Sequence, residues 1–278
     1  MVVPSIHDFE LGPLSSLGDW RGKPPFRQLA SDLRLSVRRA TELASTIRQT
    51  ASYHAGRSFG FEWQRRFIPL GFRRNVYWIP LNRIKWGYDR RPDRPATFVA
   101  DGDWDIVGRI PMRDFLAINS SCTAVTHIYR DMLPFDTCEQ FGIMRDAISA
   151  GSFQDGWITR GCKTTDEIVF YFNKLNILHR DMRCRGFKTQ KELGVPLGEE
   201  INVAVDRNGE FHKQEGEGNH RLAMASLLKI ERVPVVVRRV HAAWVREQMR
   251  EYRSDMLTAI NLGFAGVVQA HPERDARG

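Results

Sequence analysis

Cysteine is scarce in this chain, and long apolar runs are missing. Its four cysteines, Cys122, Cys138, Cys162 and Cys184, form no C-x-x-C pair and have no histidine at zinc-finger spacing. That excludes a zinc-finger framework and a small disulfide scaffold, and it leads us to expect reduced, structural thiols in a cytoplasmic protein. No stretch approaches the roughly 18 consecutive apolar residues of a membrane-spanning helix. The opening MVVPSIHDFELGPL has no basic segment followed by an apolar one, so no signal peptide is expected. Internal repeats and low-complexity tracts are also missing. What is present argues for a folded core: 16 Phe, 7 Trp and 42% hydrophobic residues in 278. Lys and Arg outnumber Asp and Glu by 41 to 33, a net charge of +8. The excess suits an anionic partner such as nucleic acid, a nucleotide or a phosphorylated metabolite. Because both signs are interspersed, it equally suits simple solubility.

Residues 1–25 are rich in Gly, Pro and Ser and read as an irregular lead-in. Over 26–55, Leu29, Leu33, Val37, Ala40 and Leu43 fall at helical spacing, opposite Arg34, Arg38, Arg39 and Arg48. Such a helix either packs with a solvated basic face or touches nucleic acid or an anionic surface. NVYWIPLNRIKW, residues 75–86, is strand-like with a turn after Pro80, and 90–105 reads as a loop. Helices are expected over 112–133, 137–151 and 164–186, the last capped by Thr and acidic residues and ended by Gly186. Ile201, Val203 and Val205 then alternate with Asn202, Ala204 and Asp206. An Arg-Asn-Gly turn follows, then a second strand, a short helix over 219–230 and a strand over 233–241. The fold class expected is α/β (α+β).

The chemistry concentrates in EGEGNHRLAMASLL, residues 215–228. Gly216 and Gly218 allow backbone amides close to a ligand, and Asn219 is a favoured N-cap. His220 and Arg221 add side-chain donors where a helix start already offers unpaired N–H groups and partial positive charge. Together these describe a phosphate site. The competing reading is a hairpin-to-helix turn whose His and Arg point to water.

The run from Ile201 to Trp244, with Gly218-Asn219-His220-Arg221 and the later Val233-Pro234-Val235, resembles the ParB/sulfiredoxin superfamily. FVADGDWD, GFKTQ and VHAAW resemble elements that recur in uncharacterised proteins of that fold. The resemblance implies a small mixed sheet with packed helices over 71–250 and a helical insertion at about 90–160. It also implies an N-terminal helical extension over 1–70 and a C-terminal helix and tail over 251–278. The sulfiredoxin cysteine position holds Asn219 here, which argues against sulfinic acid reduction. Only about 40 residues follow the last strand, too few for a partition protein's DNA-reading domain. Glu215-Gly216 before the box, with Glu217 inside it, is closer to the superfamily's free-serine kinases. On that resemblance the nucleotide phosphates sit on Gly216, Gly218, Asn219, His220, Arg221 and Lys174, with Lys163 and Lys188 as reserves.

The function so implied is ATP-dependent phosphoryl transfer to a small hydroxylated molecule. Such transfer needs charge neutralisation, usually by Mg²⁺, and a carboxylate to take the hydroxyl proton. Glu215 and Glu217, with His220, are the catalytic candidates, and Glu199 and Glu200 are the runners-up. Asp101 and Asp103, in the Asp-Gly-Asp-Trp-Asp stretch that ends at Asp105, are candidate metal ligands, although that stretch lacks the Gly and Glu of a calcium loop. The alternatives are a ParB-like DNA-binding protein or nuclease and a non-catalytic nucleotide sensor.

Overall fold

The computed structural model describes residues 40–267 apart from 42, 46, 56–59, 70, 71, 90–96, 152–157, 195–199, 215 and 216. The chain clusters into two compact units, Met1–Arg48 and Gln49–Gly278. In the first, the described residues from 40 to 48 are helical, and Leu43 and Ile47 are exposed. The other positions of the expected apolar and arginine stripes, Leu29, Leu33, Val37, Arg34, Arg38 and Arg39, lie outside the described residues.

The second unit is built on a mixed sheet. Its strands are β1 (Val76–Pro80), β2 (Ile84–Tyr88), β3 (Val99–Ala100), β4 (Arg109–Pro111), β5 (Ile201–Val205), β6 (Phe211–Lys213) and β7 (Arg232–His241). They lie in the order β1-β7-β5-β6-β2-β4, with β3 alongside the far end of β7. Its helices are α1 (Phe61–Arg66), α2 (Met112–Ile118), α3 (Ser120–Val125), α4 (Glu139–Ser149), α5 (Thr165–Arg185), α6 (Asn219–Leu227), α7 (Ala242–Tyr252) and α8 (Met256–Ala265). The α/β class read from the alternating periodicities is the class observed.

β5 is buried at all five positions, as a strand covered on both faces must be. Register sorts those faces. Val203 and Val205 stand beside Lys213 and Phe211, while Ala204 stands beside His212 and Arg239. One face is therefore largely aliphatic. The other carries a polar row.

Three expectations are revised. The compact unit begins at residue 49, not 71: Tyr53 is wholly buried, its hydroxyl donating to Asp255 Oδ1 at 2.8 Å and accepting from the Leu257 amide at 3.0 Å. Helix α8 belongs to the same core, with Met256, Ile260 and Phe264 buried, so 251–267 is not an appendage. The single helix expected over 112–133 breaks at Asn119. That residue is extended (φ −76°, ψ 121°) and its Oδ1 accepts from the Ser121 and Cys122 amides at 3.2 and 3.3 Å, starting α3 afresh. After α3 the chain widens into a π turn, Thr126–Arg130. Asn119→Ala is expected to lower stability by about 1 kcal/mol, the usual worth of an N-cap, measurable by urea unfolding.

Candidate functional site

The start of α6 faces the start of β5. Gly218 occupies the N-cap with φ +86°. A Cβ there would lie 2.6 Å from Ile201 Cα and 2.9 Å from its nitrogen, so the glycine is required by the strand beside it. Asn219, expected as the N-cap, is instead the first helical residue. Only a left-handed residue without a Cβ makes this corner, and the cap position therefore falls to glycine. Asn219 is 6% exposed, and its Oδ1 has no hydrogen-bond partner.

Arg221 points inward. It is 5% exposed, with Nη1 donating to Glu200 Oε2 at 2.8 Å, Nη2 donating to the Lys188 carbonyl, and the guanidinium 4.3 Å from the Phe187 ring centre. The Gln190 amide donates to Glu200 Oε1 at 2.5 Å. The GFKTQ segment is thus the clamp on the box arginine, and the expected phosphate fork is closed on the protein. Burial pushes the Glu200 carboxyl up, against the pull of Arg221 and the Gln190 amide. With both oxygens engaged, Glu200 is no longer a candidate for the base.

His220 is also committed. Its Nε2 lies 2.9 Å from Gln140 Oε1, and its ring meets Tyr171 edge-on at 5.9 Å. Gln140 Nε2 donates to Ser121 Oγ at 3.4 Å. This orients the amide: Oε1 accepts, and His220 carries its proton on Nε2. Arg160 Nη2 donates to the same Ser121 Oγ at 3.1 Å. Burial, then the Arg160 charge, lowers the His220 pKa to about 3. The imidazole at the mouth is neutral, and its one N–H is spent on Gln140.

The cations at the mouth are two that the sequence reading did not single out. Lys213 is fully buried, with Nζ donating to the carbonyls of Gln214 and of Glu217, the latter at 3.0 Å. Its charge partly offsets the desolvation that raises the Cys122 thiol to about 12. Cys122 Sγ lies 3.7 Å from the Asn219 carbonyl, and the Arg160 charge acts on His220. Alternation on a two-faced strand hides a buried lysine in FHK, and Arg160 sits in a Gly-flanked turn with no motif around it. Neither could have been chosen from spacing.

Of the remaining candidates, Glu217 is exposed, and its charge acts on the Tyr171 hydroxyl, which burial raises to about 12. Glu215, Gly216 and Glu199 lie outside the described residues. Lys174 is exposed on α5, its ammonium 4.7 Å from the Phe170 ring centre. Of the reserve lysines, Lys188 pairs with Asp181 at 3.0 Å, while Lys163 is exposed just before α5. Asp101 takes Arg65 and Arg246 at 2.5 and 3.2 Å, and Asp103 takes Arg207 at 2.7 Å. Among the described residues no three His, Cys, Asp or Glu side chains gather as a metal-holding group. Guanidinium groups occupy both of these carboxylates, the candidate metal ligands.

On the polar face of the sheet the DGDWD loop, the hairpin turn and the end of β7 meet. Tyr88 donates to His212 Nδ1 at 3.0 Å, and His212 Nε2 donates to Asp206 Oδ2 at 2.9 Å. Asp206 Oδ1 holds the amides of Asn208 and Glu210. Arg207 binds Asp105 at 2.7 and 2.9 Å, and His241 Nε2 donates to the Gly102 carbonyl at 2.9 Å. Asp105, Asp206 and His212 are completely buried and paired. This cluster locks the DGDWD loop onto the hairpin turn.

Comparison of the chain with family models, with curated proteins and with solved structures finds no match. No helix of the described residues is long and apolar enough to cross a membrane.

Proposed function

We propose that the mouth of α6 is the phosphate subsite of a nucleotide-binding protein that transfers a phosphoryl group from ATP to a small hydroxylated molecule. One observation supports this reading: a nine-residue helix starts just after Glu217, whose carbonyl accepts from the buried Lys213 ammonium, and its second residue, His220, feels the Arg160 charge. The first amides of a helix have no carbonyl within it to bond, and the dipole adds positive charge at the same point. An anion there meets oriented N–H groups and two cations, without any role for Arg221. Glu217, exposed just before α6, is the carboxylate we assign to accept the hydroxyl proton. Mg²⁺ would arrive on the nucleotide, because the described carboxylates build no cage for it.

Titration calorimetry with ATP, ADP and CTP, with and without Mg²⁺, tests the reading, with a short DNA duplex as a parallel titrant. We expect saturable nucleotide binding, weakened about 10- to 100-fold by Arg160→Ala, as loss of a charge-assisted hydrogen bond implies. Silence towards nucleotides, with salt-dependent duplex binding, would replace it with the DNA-binding alternative.

A further inference from the structure

We infer that Asn208, in the turn between β5 and β6, is a modification site: its side-chain amide converts to aspartate and isoaspartate, and the hydrogen bond made by the Gly209 amide holds that conversion in check while the hairpin is closed.

Of the chain's asparagines, Asn208 alone is followed by glycine. A glycine nitrogen has no neighbouring Cβ to crowd it, so it can reach the preceding side-chain carbonyl. The reaction is a ring closure without redox change. The Gly209 nitrogen bonds to Asn208 Cγ, the Cγ–NH₂ bond breaks, and the proton of the attacking nitrogen leaves with that group as ammonia. Water then opens the succinimide. Breaking the ring bond at Cγ gives aspartate. Breaking the one at the main-chain carbonyl gives isoaspartate, whose backbone runs through Cγ and is one carbon longer.

The turn supplies the reactants and restrains them. Asn208 is exposed, so water reaches the ring. Gly209 cannot give way to a bulkier, slower neighbour: its φ is +79°, and a Cβ there would lie 2.8 Å from Trp244 Nε1. The attacking nitrogen, however, donates its N–H to the Asp206 carbonyl at 3.1 Å. The turn is pinned on both sides of it, because the Asn208 and Glu210 amides each donate to Asp206 Oδ1 at 2.8 Å. Asp206 is wholly buried and bonded to His212, and Arg207 is held by Asp105. The nitrogen is therefore released for attack only when the hairpin opens. The isoaspartyl product cannot restore the turn. An extra main-chain carbon between Asn208 and Glu210 moves their amides apart, so Asp206 Oδ1 no longer accepts both, and the hold of the turn on the DGDWD loop loosens.

The test ages the full chain near neutral pH, in buffer and in concentrated urea. Peptide mapping by mass spectrometry locates the amide-to-acid conversion, and isoaspartyl methyltransferase counts the isoaspartate. We expect Asn208 to be the first asparagine converted in urea. In buffer its conversion should be about tenfold slower or more, as a segment that must first open locally requires. Asn208→Gln, which would need a six-membered ring, should stay intact in both. Arg207→Lys keeps a charge beside Asp105 but loses the fork, and it should raise Gly209 amide hydrogen exchange and Asn208 conversion by a common factor. Conversion as fast in buffer as in urea overturns the inference, as does an Arg207→Lys chain in which the two rates do not rise together. An Asn208 that survives urea while another asparagine converts overturns the site itself.

Discussion

Replacing Arg221 with alanine is expected to lower the unfolding free energy by about 3–5 kcal/mol, the usual result of removing one partner of a buried ion pair. The pair is closed from every side: Glu200 is 0% exposed, Arg221 5%, and the Phe187 ring covers the guanidinium. Alanine leaves the Glu200 carboxylate desolvated, with the Gln190 amide still donating to it. The pH dependence carries a definite sign. Burial already raises the Glu200 pKa in the folded protein, so its contribution is fully present below its unfolded value and is lost as pH rises through the folded one. Without Arg221 the folded value moves further up. The deficit of the variant is therefore largest near neutrality and shrinks towards acid pH, as Glu200 takes up its proton. Urea unfolding at neutral and acid pH measures this. A pH-independent loss below about 1 kcal/mol would show that the pair is solvated like a surface bridge. Replacing both residues with apolar ones of similar volume should recover most of the stability. In the folded fraction of Arg221→Ala, nucleotide affinity should change little, which separates its role from that of Arg160.

Much of the fold was legible because it obeys local rules. Thr164 and Gly186 bound α5 where cap chemistry places them, and the turn after Val205 has Gly209 at φ +79°. The break at Asn119 was missed because apolar spacing runs through it on both sides. Only the side-chain cap on two amides marks the restart. The site was legible in part. The box marks the right corner of the molecule, but the direction in which its residues point is tertiary information. Arg221 turns inward because Glu200 and the Lys188 carbonyl, 21 and 33 residues away, wait there. His220 is neutral because burial and then the Arg160 charge disfavour the imidazolium, and its N–H goes to Gln140, 80 residues earlier. Composition and spacing contain neither fact. Of the two residues that open the box, Arg221 is therefore a structural clamp and His220 a neutral imidazole bonded to Gln140.

Gly218→Ala is the second large effect expected, at about 2–5 kcal/mol. Two causes act together. A left-handed φ of +86° costs an L residue about 1–2 kcal/mol. The added methyl, 2.6 Å from Ile201 Cα, meets backbone that has no rotamer to change, and overpacking of this kind costs a further 1–3 kcal/mol or so. Gly102→Ala isolates the first cause, since Gly102 has φ +94° and nothing within 4 Å of its missing Cβ. The difference in urea midpoint between the two variants thus reports the steric part alone. A Cβ wedged against β5 is relieved when the corner moves away from Ile201, and in the function proposed this displaces the first amides of α6 from the phosphate. Gly218→Ala should then weaken nucleotide binding in the protein that remains folded, whereas Gly102→Ala should leave it unchanged. Equal stability of the two variants would mean that β5 yields and that the close approach at Gly218 does not hold the mouth in place.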